Sequence, residues 1–168
     1  MKEQTECVCS NCGAHAGVVC GAYRFEESGL RNVILLGIEL IRCQKCGNED
    51  PVIPNMAGLI QCLALAVVEK PWRLKGDEVR YIRKYLKMTG EEFGRHIGVD
   101  KTCVSKWENE EERVGTTSDR MIRALALALG DGLSSHTEKV VRRFPEIKSI
   151  LRQVEYRIDP ETRAVEYV

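Results

Sequence analysis

The sequence predicts an α+β fold: a small N-terminal four-cysteine β module, an all-α domain built on a helix-turn-helix, and a C-terminal β-hairpin. Three observations carry this reading. Six of the eight cysteines lie before residue 50. The stretch from Thr89 to Glu108, TGEEFGRHIGVDKTCVSKWE, has the caps and spacing of two short helices around a tight turn. The end of the chain alternates with period two on either side of Asp159-Pro160-Glu161-Thr162.

The cysteine module spans residues 1–50. Cys9-Ser-Asn-Cys12-Gly and Cys43-Gln-Lys-Cys46-Gly are two C-x-x-C knuckles, each followed by glycine. Two thiolates separated by two residues can grip one ion, and the glycine permits the turn that aims backbone N–H groups at the sulfurs. Two such knuckles complete a tetrahedral shell with Zn–S near 2.3 Å. Cys9, Cys12, Cys43 and Cys46 are therefore the expected ligands of one structural Zn²⁺ per chain, with no position open for water. Cys7 is an alternative to Cys9, though with a rarer bite, and His15 a substitute ligand; Cys20 has no assigned role. Between the knuckles, Val18 to Phe25 and Val33 to Ile41 predict strands around Glu27-Ser28-Gly29. The second strand is almost wholly apolar, which predicts cover on both faces.

Asp50-Pro51 to Pro54 breaks the pattern. Residues 51–76 then form an apolar linker helix from Asn55 to Lys70, with Leu59, Cys62, Leu63, Ala66 and Val67 at helical spacing. Its apolar circumference predicts packing between modules or at a dimer seam.

Residues 77–132 form the helical domain. Its first helix, Asp77 to Lys87, turns Val79, Ile82 and Leu86 inward, and Arg80, Arg83, Lys84 and Lys87 outward. Thr89 is an N-cap with Glu92 at the capping-box position. Phe93 and Ile97 share a face, Gly94 admits a close neighbour, and Gly98 supplies a left-handed stop. Asp100 caps the next helix, on which Val104 and Trp107 point in while Thr102, Ser105 and Lys106 point out. Thr116 to Ser118 precede a further helix, Asp119 to Leu129, with Ile122, Leu125 and Leu129 toward the core. Residues 133–168 comprise a helix from Glu138 to Leu151, broken at Phe144-Pro145, and the hairpin Val154–Ile158 with Ala164–Val168.

The formal net charge is zero, from 25 basic and 25 acidic residues. That argues against a non-specific polyanion coat but leaves room for a local basic face. From Lys70 to Gly132 there are 13 Lys and Arg against 11 Asp and Glu; the first 60 residues carry 5 against 7. No stretch approaches the roughly 18 unbroken apolar residues of a membrane span, and the polar N-terminus is unlike a signal peptide. A cytoplasmic location is expected, where eight cysteines favour metal over disulfides. His15, His96 and His136 stand at no nucleophile or metal spacing with a carboxylate, so an enzyme is not expected.

The run "Gly-Val, polar cap, two variable residues, Val-Ser-x-Trp-Glu" resembles the helix-turn-helix of the Cro/repressor (XRE-like) family. With the two knuckles, roughly residues 7 to 130 resemble the MqsA (YgiT-type) zinc-binding antitoxins. The hairpin is extra to that pattern, and the family's Asn and Arg at the base-reading positions are replaced. The resemblance implies an autorepressing, sequence-specific DNA-binding transcription regulator. It implies a homodimer on a palindromic operator and a toxin bound by the N-terminal module. The base-reading positions fall on Thr102 and Lys106. The candidate DNA contacts are Thr89, Lys101, Thr102, Ser105, Lys106 and Arg120. The alternatives are a stand-alone zinc-stabilised regulator with no toxin partner, or a protein–protein adaptor.

Overall fold

Each knuckle is the tip of a β-hairpin, and that fact organises the N-terminal sheet. The computed structural model describes residues 7–168; the first six, on which the reading of a polar, signal-free N-terminus partly rests, lie outside the described residues. β1 (Cys7–Val8) and β2 (His15–Arg24) flank the first knuckle, and β3 (Val33–Arg42) and β4 (Glu49–Val52) flank the second. β2 and β3 run antiparallel with Gly17 opposite Arg42, so both tips lie at one end of the sheet.

β3 is the central strand. Its apolar run buries Val33 and Leu35, then Ile38 and Leu40, a phase change of one residue. The register with β2 shifts at the same level, between Gly21 and Tyr23, and Gly37 takes φ +67°. This is a bulge with its extra residue in the left-handed region that glycine tolerates. Without it the inward positions would fall on Gly37 and Glu39. The opposite face of β3 is only half-covered, at Ile34, Leu36 and Ile41. β4 contains Pro51, in the stretch expected to break the pattern. It pairs with β3 alone, as an edge strand, and there the missing N–H is tolerated.

The α+β expectation of a small N-terminal β module, an all-α domain and a separate C-terminal hairpin is corrected here. The hairpin, β5 (Tyr156–Ile158) and β6 (Val165–Tyr167), joins the N-terminal sheet through β5, which pairs in parallel with β3 from Val33↔Tyr156 to Leu35↔Ile158. The fold is mixed α/β: a six-stranded mixed sheet in the order β1-β2-β3-β5-β6, with β4 also on β3, and six α-helices among the described residues. A two-strand hairpin is marginal alone; pairing with β3 and the burial of Tyr156 and Ile158 supply what the isolated hairpin lacks.

The chain divides into two compact units. The first draws on residues up to Glu26, on Asn32–Leu59 and on Glu155–Val168; the second comprises Glu27–Arg31 and Ile60–Val154. The second holds most of α1 (Met56–Glu69), then α2 (Gly76–Tyr85), α3 (Gly90–Ile97), α4 (Lys101–Glu108), α5 (Thr116–Leu129) and α6 (Thr137–Arg142). Asn55 caps α1 by accepting the Gly58 N–H at 2.8 Å. From Leu59 to Val68 only Ile60, Gln61 and Leu65 escape full burial, so this stretch of α1 is core, not a free seam. On α2, Val79 and Ile82 are buried and Leu86, just past the helix, is half-buried. On α5 the inward residues are Asp119, Ile122, Arg123, Ala126 and Leu127. Leu129, expected in the core, is 52% exposed, and Leu125 is only half-buried.

A buried polar network fixes the segment between α1 and α2. Arg123 donates from Nη1 to the carbonyls of Val68 and Lys70 and from Nη2 to that of Trp72, each at 2.7 Å. The guanidinium thereby satisfies acceptors that the end of α1 leaves open. Asp119 accepts from Arg123 Nε at 2.8 Å and from the Leu74 N–H at 2.6 Å. Beside it, Lys70 donates to Glu78 with both side chains buried.

Candidate metal centre and nucleic-acid interface

The two knuckles are built alike. Cys9 donates its N–H to the Ala14 carbonyl at 2.8 Å, and Cys43 does the same to Asn48 at 2.9 Å. Gly13 and Gly47 return N–H bonds to the carbonyls of Cys9 and Cys43 at 3.0 and 2.9 Å, with φ of +69° and +73°. Only a residue free of a Cβ enters that region without strain, which is why glycine follows each C-x-x-C. Ser10 Oγ donates to Asp50 at 2.6 Å and accepts from Asn48 Nδ2 at 3.3 Å, tying the first turn to the second hairpin.

The four sulfurs of Cys9, Cys12, Cys43 and Cys46 lie within 4.8 Å of one another. Cys9 Sγ to Cys46 Sγ and Cys12 Sγ to Cys43 Sγ are each 3.6 Å. A tetrahedral ion with metal–sulfur bonds near 2.3 Å places its ligand sulfurs about 3.8 Å apart. Donor set and spacing both fit, and the cluster can hold a metal ion. Amide N–H groups of Cys46 and then, against burial, of Lys45 bring the Cys43 thiol down to about 6 from its ordinary 9.0. At Cys12 the amide of Ala14 works in the same direction, but the thiols of Cys43 and Cys46 and burial push it up to about 12. Four sulfurs this close cannot all ionise side by side without a cation between them, and a divalent ion removes that conflict. Cys7 on β1, His15 opposite Val8 and Cys20 in mid-β2 all lie outside the cluster.

In the second unit the turn between α3 and α4 follows from its caps. Thr89 Oγ1 accepts the Glu92 N–H at 3.2 Å and Glu92 accepts the Thr89 N–H at 2.8 Å, closing the capping box. Gly98 ends α3 at φ +77°. A Cβ at Gly94 would stand 2.5 Å from the Val99 carbonyl, so the turn closes over a glycine. Asp100 accepts the Cys103 N–H at 2.8 Å and starts α4.

α4 is anchored by Val104 and Trp107, both buried, and leaves Lys101, Thr102, Ser105 and Lys106 exposed on its other side. Lys106 has only a loose ion pair with Glu112, 3.9 Å away with both half exposed. Thr89, also exposed, is occupied as a cap. Arg120 is placed differently: its Nη2 donates to the Phe144 carbonyl at 3.1 Å and its Nε is buried without a partner. This geometry engages its guanidinium with the protein's own backbone.

Sequence reasoning gave Glu108 no role. Arg83 forks onto its carboxylate at 2.6 and 3.0 Å, and Arg80 reaches it at 3.3 Å and its carbonyl at 3.0 Å. The hydrogen bond to the Glu108 carboxylate raises the Arg83 guanidinium above its ordinary value. Two of the four bases expected on the outward side of the first helix thus hold the C-terminal end of α4, while Lys84, on α2, and Lys87, past its end, remain exposed. The available signal was an acid at a helix C-terminus, unfavourable there unless cations compensate.

No helix among the described residues is long and apolar enough to cross a membrane. Compared with known proteins, the chain matches no family model, no curated protein and no solved structure.

Proposed function

We propose that the protein is a sequence-specific double-stranded DNA-binding transcription regulator whose first unit is held by one structural zinc ion. The observation that carries this reading is α4: anchored by Val104 and Trp107, capped at Asp100, and bare on the side bearing Lys101, Thr102, Ser105 and Lys106. A helix with short and basic polar residues on one side fits a major groove about 12 Å wide. The acidic run Glu110 to Glu112 lies beyond the C-terminal end of α4, past the exposed side that runs from Lys101 to Lys106. Arg120, engaged with Phe144, is left out of the contact set, and Thr89 acts through the α3 cap. Zinc is the ion that four thiolates in a closed tetrahedron select best among abundant cellular divalent metals. A homodimer reading a palindrome follows from the small footprint of one eight-residue helix.

A second reading adds a protein partner, such as a toxin, on the first unit, making the regulator an antitoxin. Val8, Val18, Val19 and Val52 are exposed there on β1, β2 and β4, which favours it. Selection from random duplexes at low salt tests the DNA reading. Enrichment of a two-fold symmetric sequence is the expected result; a pool that stays random after repeated rounds overturns it.

A further inference from the structure

A cleft of about 200 Å³ opens within the second unit, between the end of α1, α5 and the segment that follows α6. Folded interiors leave few voids larger than a water molecule, so a space of this size is room for a ligand. Its apolar walls are Val68, Pro71, Val140 and Ile147, the two valines buried and the other two half-buried. One wall is fixed before any ligand arrives. Lys148 donates its N–H to the Pro71 carbonyl at 2.9 Å, and its carbonyl accepts the Arg73 N–H at 3.2 Å. A preformed cleft with apolar walls and a few polar groups at set places is the common form of a small-molecule site.

The charges that line the cleft indicate the ligand's chemistry. Lys70 and Arg123, both buried, are answered by Glu78 and Asp119. Glu69 holds Lys139 at 2.8 Å, and Arg143 stands 3.8 Å from Glu146. Lys148 is the exception. Its ammonium lies 5.9 Å from the Trp72 ring centroid and makes no ion pair among the described residues. Arg123 adds a spare donor: Asp119 and the carbonyls of Val68, Lys70 and Trp72 engage four of its five N–H groups. The fifth, on Nη2, has no acceptor among the described residues. A buried donor costs free energy until something accepts from it. One unanswered cation and one spare donor, both lining apolar walls, match one carboxylate on an apolar body.

We propose that this cleft binds a small monocarboxylic acid with an aromatic or branched aliphatic body, its carboxylate on Lys148 and its apolar part against Val68, Pro71, Val140 and Ile147. The proposal rests on the regulator reading in one respect, that the acid then acts as an effector. Arg123 fixes the segment between α1 and α2, and Arg80 and Arg83 of α2 hold α4 through Glu108. The binding argument itself needs no DNA.

Phenylacetate, with about ten non-hydrogen atoms, suits the cleft and is the probe; a ligand of that size binds with a Kd on the order of 0.1–1 mM. Titration of the full chain without DNA, followed by backbone amide NMR, is expected to move Val68, Glu69, Val140 and Ile147 and to leave β2 and β3 unmoved. Phenylacetamide lacks the charge and acetate lacks the apolar body, so each is expected to bind about tenfold more weakly or worse. Lys148→Met is expected to weaken phenylacetate about fivefold. Glu146→Gln removes a like charge beside Arg143 and is expected to strengthen it about twofold, a gain that misfolding cannot imitate. Both positions are exposed, so circular dichroism melting is expected to stay at the wild-type value. No amide shift at about 10 mM phenylacetate overturns the proposal. So do an amide that binds as well as the acid, an unchanged affinity in Lys148→Met, and a Glu146→Gln chain that binds no better than wild type. Binding at the cleft with a random selection pool would sink the DNA reading and leave the site standing; an enriched operator with no binding at the cleft would do the reverse.

Discussion

Lys70 Nζ lies 2.6 Å from Glu78 Oε1, with the two side chains 0% and 4% exposed. This pair joins the end of α1 to the first turn of α2, and Glu78 also accepts the Lys75 N–H at 2.7 Å in the α2 capping box. Removing one partner of a buried pair leaves an uncompensated charge, at a cost of about 3–5 kcal/mol. Lys70→Met is expected to destabilise the second unit by that amount. Lys70→Met/Glu78→Leu is expected to recover most of it, since an apolar pair of similar volume needs no compensation. Urea unfolding of the four members of the cycle gives the coupling. Burial pushes the Lys70 ammonium below its ordinary 10.5, opposed by Glu78. The unfolded chain then holds that proton more tightly, so stability rises as pH climbs toward 10.5. That slope is absent in the double variant.

The hairpin β5–β6 is expected to depend on the metal although it holds no ligand. Tyr156 donates its N–H to the Asn32 carbonyl at 2.8 Å beside β3, and β3 ends at Arg42, next to Cys43. Structural zinc contributes on the order of 10 kcal/mol in small peptides. A strong chelator, or Cys43→Ser, is expected to raise hydrogen exchange throughout the sheet, Tyr156 to Ile158 included, while Ile82 and Ile122 stay protected. Exchange confined to residues 7–52 would mean the parallel pairing holds without metal.

Much of this was legible in the sequence because its signals are local. The knuckles and the caps at Thr89, Gly98 and Asp100 are each written within six residues, and the structure places all of them as the spacing requires. The β3–β5 pairing was not legible, because it joins Val33 to Tyr156 and nothing near either residue distinguishes a parallel partner from a free hairpin. α5 misled for another reason. Apolar residues occupy both its faces, so periodicity could not tell Leu127, which is buried, from Leu129, which is not. Lys70, Glu78, Asp119 and Arg123 look like surface residues in any linear reading; only the fold brings them together to neutralise one another.

Gly94→Ala tests how tightly the turn is closed. Its Cβ would meet the Val99 carbonyl at 2.5 Å, a backbone atom that cannot swing aside. Overpacking of this kind costs about 1–3 kcal/mol. The melting temperature of the second unit is expected to fall accordingly, with the metal content unchanged. Gly90→Ala, where a Cβ meets nothing within 4 Å, is the control and is expected to be neutral or slightly stabilising.

The Thr89–Glu92 box gives α3 a defined response to acid. N–H donation from the Thr89 backbone, followed by its hydroxyl, holds the Glu92 carboxyl below its ordinary 4.5. A depressed carboxyl contributes stability that is full above its unfolded value and is lost as pH falls through the lower folded value. Glu92→Gln is therefore expected to flatten the fall of melting temperature between about pH 5 and pH 3. An unchanged slope would assign the acid sensitivity to other carboxylates.

The last prediction separates base reading from phosphate anchoring on α4. Thr102 and Lys106 lie four apart on the exposed side, so both can face base edges together. Lysine donates to guanine O6 and N7, and threonine offers a hydroxyl or presses its methyl on thymine. Lys106 is held back only by Glu112, a half-exposed pair 3.9 Å apart, which costs little to open. Lys101, exposed in the first turn of α4, is the expected backbone contact under the DNA reading. Lys106→Ala is expected to cost about 1–3 kcal/mol on the selected operator and little on scrambled DNA. Lys101→Ala is expected to weaken both similarly and to lower the salt slope by about one. Arg120→Ala, with its guanidinium on Phe144, is expected to alter stability more than the salt slope. Titrating the three variants against operator and scrambled duplex at two salt concentrations decides the roles. Equal loss on both duplexes for Lys106→Ala would make that residue a phosphate contact and move base reading to Thr102 and Ser105.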